Sequence, residues 1–158
     1  ESIAHGTIFR RAIEEDLIDP HKMVQIGQRT TGYSADDFEW VRQQGVRVVN
    51  AEECWYQSLT PLMAEVREQI GAETPVYLSF DIDGIDPAFA PGTGTPEPGG
   101  LTNTQAIEII RGCWGLNLVG SDLVEVSPQY DTTGNTALLA ANLVFEMLCS
   151  FPGCLRRD

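Results

Sequence analysis

Between Val76 and Thr102 the chain reads Val-Tyr-Leu-Ser-Phe-Asp81-Ile-Asp83-Gly-Ile-Asp86-Pro, then enters a segment dominated by proline and glycine. The short apolar run predicts a buried strand over Val76 to Phe80, and a strand of that kind is covered on both faces. It ends in three carboxylates, Asp81, Asp83 and Asp86. Side chains alternate faces along a strand, so Asp81 and Asp83 are expected to point the same way. Two unpaired carboxylates side by side repel and are costly to desolvate, and a cation between them removes both penalties. The prolines that follow fix the backbone and the glycines allow tight turns, so a shaped loop is expected to roof the strand end.

Three further runs read as strands: Met23 to Gly27, Val46 to Asn50 and Leu116 to Val126. Helical segments separate them. One opens at Ser34 with Asp37 and stops at Gly45, and another runs from Thr60-Pro61 to Gly71 with Leu62, Val66 and Ile70 on one face. A third is capped by Thr102 and Gln105, buries Ala106, Ile109 and Ile110, and ends at Gly112. A last helix, Thr136 to Cys149, is apolar almost all round and is expected to be largely buried. Strands alternating with helices predict βαβ units: an α/β fold whose parallel sheet carries helices on both faces. Ligands of such sheets sit beyond the carboxyl ends of the strands, where Asp81, Asp83 and Glu125 all fall.

Composition narrows the function. A net charge of −13 argues against nucleic acid or an anionic membrane as partner. No apolar run approaches the length of a membrane-spanning helix and no leader is recognisable, so a cytoplasmic protein is expected. The four cysteines (Cys54, Cys113, Cys149, Cys154) include no C-x-x-C pair and are expected to be reduced structural thiols.

Each candidate motif has a plainer reading. Asp86-Pro87 reads equally as a turn or as support for neighbouring ligands. An EF-hand fails, because the fifth position counted from Asp81 is Ile85 and the twelfth is Gly92. A glycosidase needs a carboxylate pair flanking a sugar, and this run ends in Asp-Pro with no glutamate before Glu97. The segment Pro91-Gly-Thr-Gly-Thr-Pro96 lacks the Gly-Lys-Ser/Thr of a phosphate loop and reads as a rigid, site-lining turn. His21, beside Asp19-Pro20, reads as a solvated turn residue, and position alone gives His5 no special standing. Glu125, a single carboxylate within a strand, requires a partner: an arginine in a structural pair, or the guanidinium of a ligand.

Taken together, Ser79-Phe-Asp-Ile-Asp-Gly-Ile-Asp-Pro87, the Pro-Gly-Thr-Gly-Thr-Pro loop and Gly-Gly-Leu-Thr102 resemble the signature of the ureohydrolases, the family of arginase, agmatinase and their relatives. His5-Gly-Thr, Leu123-Val-Glu-Val-Ser-Pro128 and Gly134-Asn-Thr-Ala-Leu extend the resemblance over essentially the whole chain. The tail is more similar to agmatinases and guanidinobutyrases than to arginases. The resemblance implies a three-layer α/β/α fold and hydrolysis of a small guanidino compound to urea and an amine. It also implies two bridged Mn²⁺ ions with Asp81 and Asp83 among their ligands, whose shared hydroxide attacks the guanidinium carbon. Glu125 would hold the substrate guanidinium, and His5 would relay a proton to the leaving amine. A trimeric or hexameric homo-oligomer is implied as well.

The chain also departs from that pattern. The family draws its other metal ligands from Gly-Gly-Asp-His and Asp-Ala-His-x-Asp segments upstream of His-Gly-Thr. Neither occurs here, and His5 and His21 are the only histidines. Residues 1–158 are therefore expected to be the C-terminal portion of one ureohydrolase domain, incomplete at its N-terminus and binding Mn²⁺ weakly or not at all by itself. The competing expectation is a catalytically dead homologue or fragment with a structural or oligomerisation role.

Overall fold

The computed structural model describes residues 3–29 and 35–154, with side chains from residue 38 onward in the second segment. His5–Thr7 forms a single 3₁₀ turn pinned by Thr7, whose hydroxyl donates to Ala4 O and accepts from Ala4 N, both at 2.9 Å. Helix α1 (Ile8–Glu14) follows, with Arg10 Nε donating to Glu14 at 2.8 Å across one turn. Pro20–Lys22 is a second short turn, capped by the Asp19 carboxylate, which accepts from His21 N at 3.0 Å. His21 is thus an exposed turn residue, as its neighbours suggested.

The remaining elements alternate: β1 (Val24–Gln28), α2 (Ala35–Gln43), β2 (Arg47–Asn50), α3 (Ala51–Cys54), α4 (Thr60–Ile70), β3 (Pro75–Asp81), α5 (Asn103–Gly112), β4 (Asn117–Val124) and α6 (Asn135–Ser150). The cap expected at Ser34 lies outside the described residues. At α5 the capping box forms: Gln105 N donates to Thr102 Oγ1 and Thr102 N to the Gln105 side chain, at 3.2 and 3.0 Å. Helix α4 ends as expected at Gly71, whose positive φ of 81° suits glycine and whose N–H returns to Arg67 O at 2.9 Å.

All the strand pairing is parallel, but the single four-stranded sheet expected from the sequence is resolved into two pairs. β1 pairs with β2, and β3 pairs with β4, with no ladder joining the pairs among the described residues. Alternation along a chain predicts βαβ units but carries no information on which unit neighbours which. Between the pairs the side chains make the contact: Val24, Ile26 and Val49 share one apolar cluster with Val76, Leu78 and Leu118.

Two apolar clusters hold the elements together. Leu59, Met63, Val66 and Ile70 pack with Val49, Leu101, Ile109, Leu116 and Leu118. Phe80, Ile82 and Ile85 pack with Ala106, Ile110, Ala140, Leu143 and Met147. Each fully buried aliphatic side chain contributes about 1.5–3 kcal/mol relative to exposure. Leu78 and Phe80 of β3 face this core, whereas Tyr77, Ser79 and Asp81 of the alternate face are exposed. Helix α6 also departs from expectation: Ala140, Leu143 and Met147 are buried, but Leu138, Phe145 and Leu148 are each more than 60% exposed. An all-round apolar helix is covered only where a neighbour exists, and α5 and β4 cover one side. Among the described residues no helix is long and apolar enough to cross a membrane. None of the four cysteines is in a disulfide, and burial pushes the thiols of Cys54 and Cys113 up to about 11.

Candidate active site

The site forms where β3 and β4 end together. Asp81, the last residue of β3, pairs in register with Val124, the last of β4, so Glu125 emerges one step further on the same edge. Beyond Asp81 the strand gives way to a 3₁₀ turn over Ile82–Gly84. Strand alternation therefore does not set the direction of Asp83, contrary to the expectation above. A local turn does so instead, with the Asp81 carboxylate accepting from Asp83 N at 2.9 Å. A short polar side chain competes with the ladder for the backbone at a strand end, and here it wins.

Asp83 is held on several sides. Thr95 of the roofing loop donates its hydroxyl to Asp83 Oδ2, and Arg29, just past β1, donates through Nη2 to the Asp83 carbonyl and through Nη1 to Gly27 O at 3.1 Å. The other carboxylate oxygen, Asp83 Oδ1, is buried and has no hydrogen-bond partner. Such an atom is costly unless a cation or donor meets it. Asp81 faces solvent, yet its carboxyl is pushed above the ordinary range, chiefly by desolvation and further by the charges of Asp83 and Glu125. The hydrogen bond from Asp83 N and the charge of Arg29 act in the opposite sense. An oxygen pair with one orphaned lone-pair site and mutual repulsion fits part of the shell of a hard divalent cation. Among the described residues no cluster of three or more His, Cys, Asp or Glu side chains is disposed to hold such an ion.

Asp86 takes the structural half of its two readings. Its carboxylate accepts from Ala88 N at 2.8 Å and from Gly99 N at 2.7 Å, closing the base of the loop. Backbone bonds from Asp86 N to Leu101 O and from Leu101 N to Gly84 O complete the closure, both at 2.9 Å.

Glu125 was expected inside a strand and instead stands just beyond one, with a φ of 66° in the left-handed region. For a residue with a side chain this conformation costs about 1–2 kcal/mol, and the surroundings must hold it there. The twist brings its carboxylate within 3.8 Å of His5 Nδ1. His5 is largely exposed, so both groups are open to a ligand from solvent. The structure thus gathers His5, Asp81, Asp83 and Glu125 into one region across 120 positions of sequence. Arg29, Thr93 and Thr95 were not singled out from the sequence. The Pro-Gly-Thr-Gly-Thr-Pro loop pointed to the threonines only as site-lining residues, and Arg29 had no local signal.

The Arginase family model matches residues 1–149. A guanidinobutyrase of Pseudomonas aeruginosa is 72% identical over 99% of this chain, and a mitochondrial agmatinase of Gallus gallus is 63% identical over 97%. The chain spans about half the length of these relatives, 49% and 45%. Among solved structures, proclavaminate amidino hydrolase from Streptomyces clavuligerus superposes with a TM-score of 0.87 at 46% identity, over 93% of this chain and 48% of that one. Arginase from Bacillus caldovelox superposes with a TM-score of 0.75 at 30% identity, over 82% and 44%. A family-wide match, shared parallel α/β architecture and the clustered carboxylates agree: the chain belongs to the arginase family.

Proposed function

We propose that a polypeptide of the relatives' length containing this chain hydrolyses a small guanidino compound, a guanidino acid of the 4-guanidinobutanoate type or agmatine, to urea and an amine. The convergence of Glu125 and His5 beside a carboxylate pair with an orphaned buried oxygen carries this reading. Asp81 and Asp83 would hold part of a pair of Mn²⁺ ions, which when bound supply a water acidic enough to react near neutral pH. The remaining ligands come from outside the described residues.

The chain's own residues do the rest. Glu125 presents a carboxylate that accepts two parallel N–H bonds from a guanidinium, fixing its plane and orientation. His5, 3.8 Å from that carboxylate and largely exposed, would hand a proton to the departing nitrogen. Thr95 holds Asp83 Oδ2, and the buried, unpartnered Oδ1 would be available to a bound cation. The name of the 72% identical relative supports a guanidino acid as substrate. A cytoplasmic setting and a trimeric or hexameric assembly belong to the same reading.

The test is urea release from 4-guanidinobutanoate, 3-guanidinopropanoate and agmatine by the longer polypeptide, with and without Mn²⁺. Release that requires Mn²⁺ and falls steeply, though still measurably, on Glu125→Gln or His5→Ala is expected. No urea from any guanidino compound would instead favour a dead homologue with a structural role.

A further inference from the structure

The strained backbone of Glu125 requires an explanation, and the structure gives one in Thr93 of the roofing loop. Thr93 is 2% exposed, in the middle of the Pro91–Pro96 turn, and its hydroxyl donates to Glu125 O at 3.0 Å. One step away, Ser127 N donates to Gly92 O at 2.8 Å. These two bonds flank Val126 and tie the backbone leaving Glu125 to residues 92 and 93, while on its other side Val124 is held in register with Asp81 by the β3–β4 ladder.

That anchor is itself fixed. Gly92 N donates to the buried hydroxyl of Thr136 in the first turn of α6 at 2.8 Å. Thr136 N in turn donates to Asp131 Oδ2 at 2.6 Å, and Asp131 Oδ1 accepts from Thr133 N and Gly134 N at 3.1 and 3.0 Å. A continuous polar chain therefore runs from the start of α6 through Gly92 and Thr93 to the backbone of Glu125. Hydrogen bonds in buried surroundings hold geometry firmly, because a broken one leaves an unpaired group out of water.

We propose that Thr93 is a positioning residue for Glu125: its buried hydroxyl clamps the left-handed backbone and so aims the carboxylate at the guanidinium. This rests on the reading of Glu125 as guanidinium receptor. Without the clamp, Glu125 relaxes toward an ordinary backbone conformation and its carboxylate swings out of register with His5. Displacements of about 1 Å in a positioned group cost up to about 100-fold in rate.

The experiment uses the longer polypeptide carrying Thr93→Val, which keeps shape and removes the donor, Thr93→Ser, which restores it, Glu125→Gln, and the Thr93→Val/Glu125→Gln pair. Thr93→Val is expected to raise KM for the guanidino substrate roughly ten-fold or more and to lower kcat/KM further. Thr93→Ser should stay within about three-fold of the parent. In the Glu125→Gln background, Thr93→Val should add little, since the group it positions is already gone. An unchanged KM with only a lowered Tm, or full additivity in the double variant, overturns the proposal. Amide hydrogen exchange over residues 125–127 gives a readout free of activity. Exchange at least about ten-fold faster in Thr93→Val, but not in Thr93→Ser, supports the clamp, and no change overturns it. Should the parent release no urea, the hydrolase reading fails and exchange alone judges Thr93.

Discussion

At Gly92 an added Cβ would stand 2.5 Å from the Asp131 Cβ and 3.0 Å from Thr136 Oγ1, so no larger residue fits without moving backbone. The loop can approach α6 only because this position has no side chain. Asp131 marks the other side of the same contact. Burial pushes its carboxyl up, but the Thr136 and Thr133 hydrogen bonds outweigh that and hold it down to about 2. A carboxyl lowered in the folded state contributes stability above its unfolded value near 3.9, and that contribution is lost as pH falls through about 2. Asp131→Asn is therefore expected to be less stable than the parent at pH 7, with the gap closing between about pH 4 and pH 2. Denaturant midpoints of both proteins over that range check it, and a gap that does not change with pH contradicts it. Asp131 carried no local signal in the sequence. Its role depends on α6 and the roofing loop meeting, which no local pattern states.

Helix α6 shows how far periodicity reaches at the scale of an element. Its composition predicted burial nearly all round, and half of that came true, because a helix is buried by what lies against it. Leu143 is fully buried among Phe80, Ile82, Ile110 and Met147, whereas Leu148 is 61% exposed. Leu143→Ala is expected to destabilise this chain by about 2–5 kcal/mol. Leu148→Ala should stay within about 0.5 kcal/mol of the parent. Urea unfolding of the two variants separates them, and equal losses would mean that both faces are covered. Elsewhere the signals were complete. The Thr102/Gln105 box, the Pro61 start and the Gly71 stop all formed where local chemistry placed them, since each depends on residues within one turn.

At the scale of the molecule, the described residues form two parallel strand pairs bridged by packing, with one face of β3 and β4 open around Tyr77, Ser79 and Asp81. Two carboxylates converge near the end of β3, and no third metal-binding side chain joins them among the described residues. Titration calorimetry of the 158-residue chain with Mn²⁺ is accordingly expected to show weak binding or none. Tight, stoichiometric uptake of two ions would show that these residues suffice.

The alternation of strands and helices, most caps and stops, the position of Asp81 and Glu125 near strand ends, and the family are all legible in the residues alone. These follow from periodicity, turn chemistry and motif wording, all of which act over a few residues. Packing, by contrast, makes Thr95 the partner of Asp83 and Asp86 the staple of the loop. It alone decided that Arg29 reaches the site from β1 and that Glu125 stands strained under Thr93. Those features join positions far apart in the chain, and such contacts are fixed by which surfaces pack together.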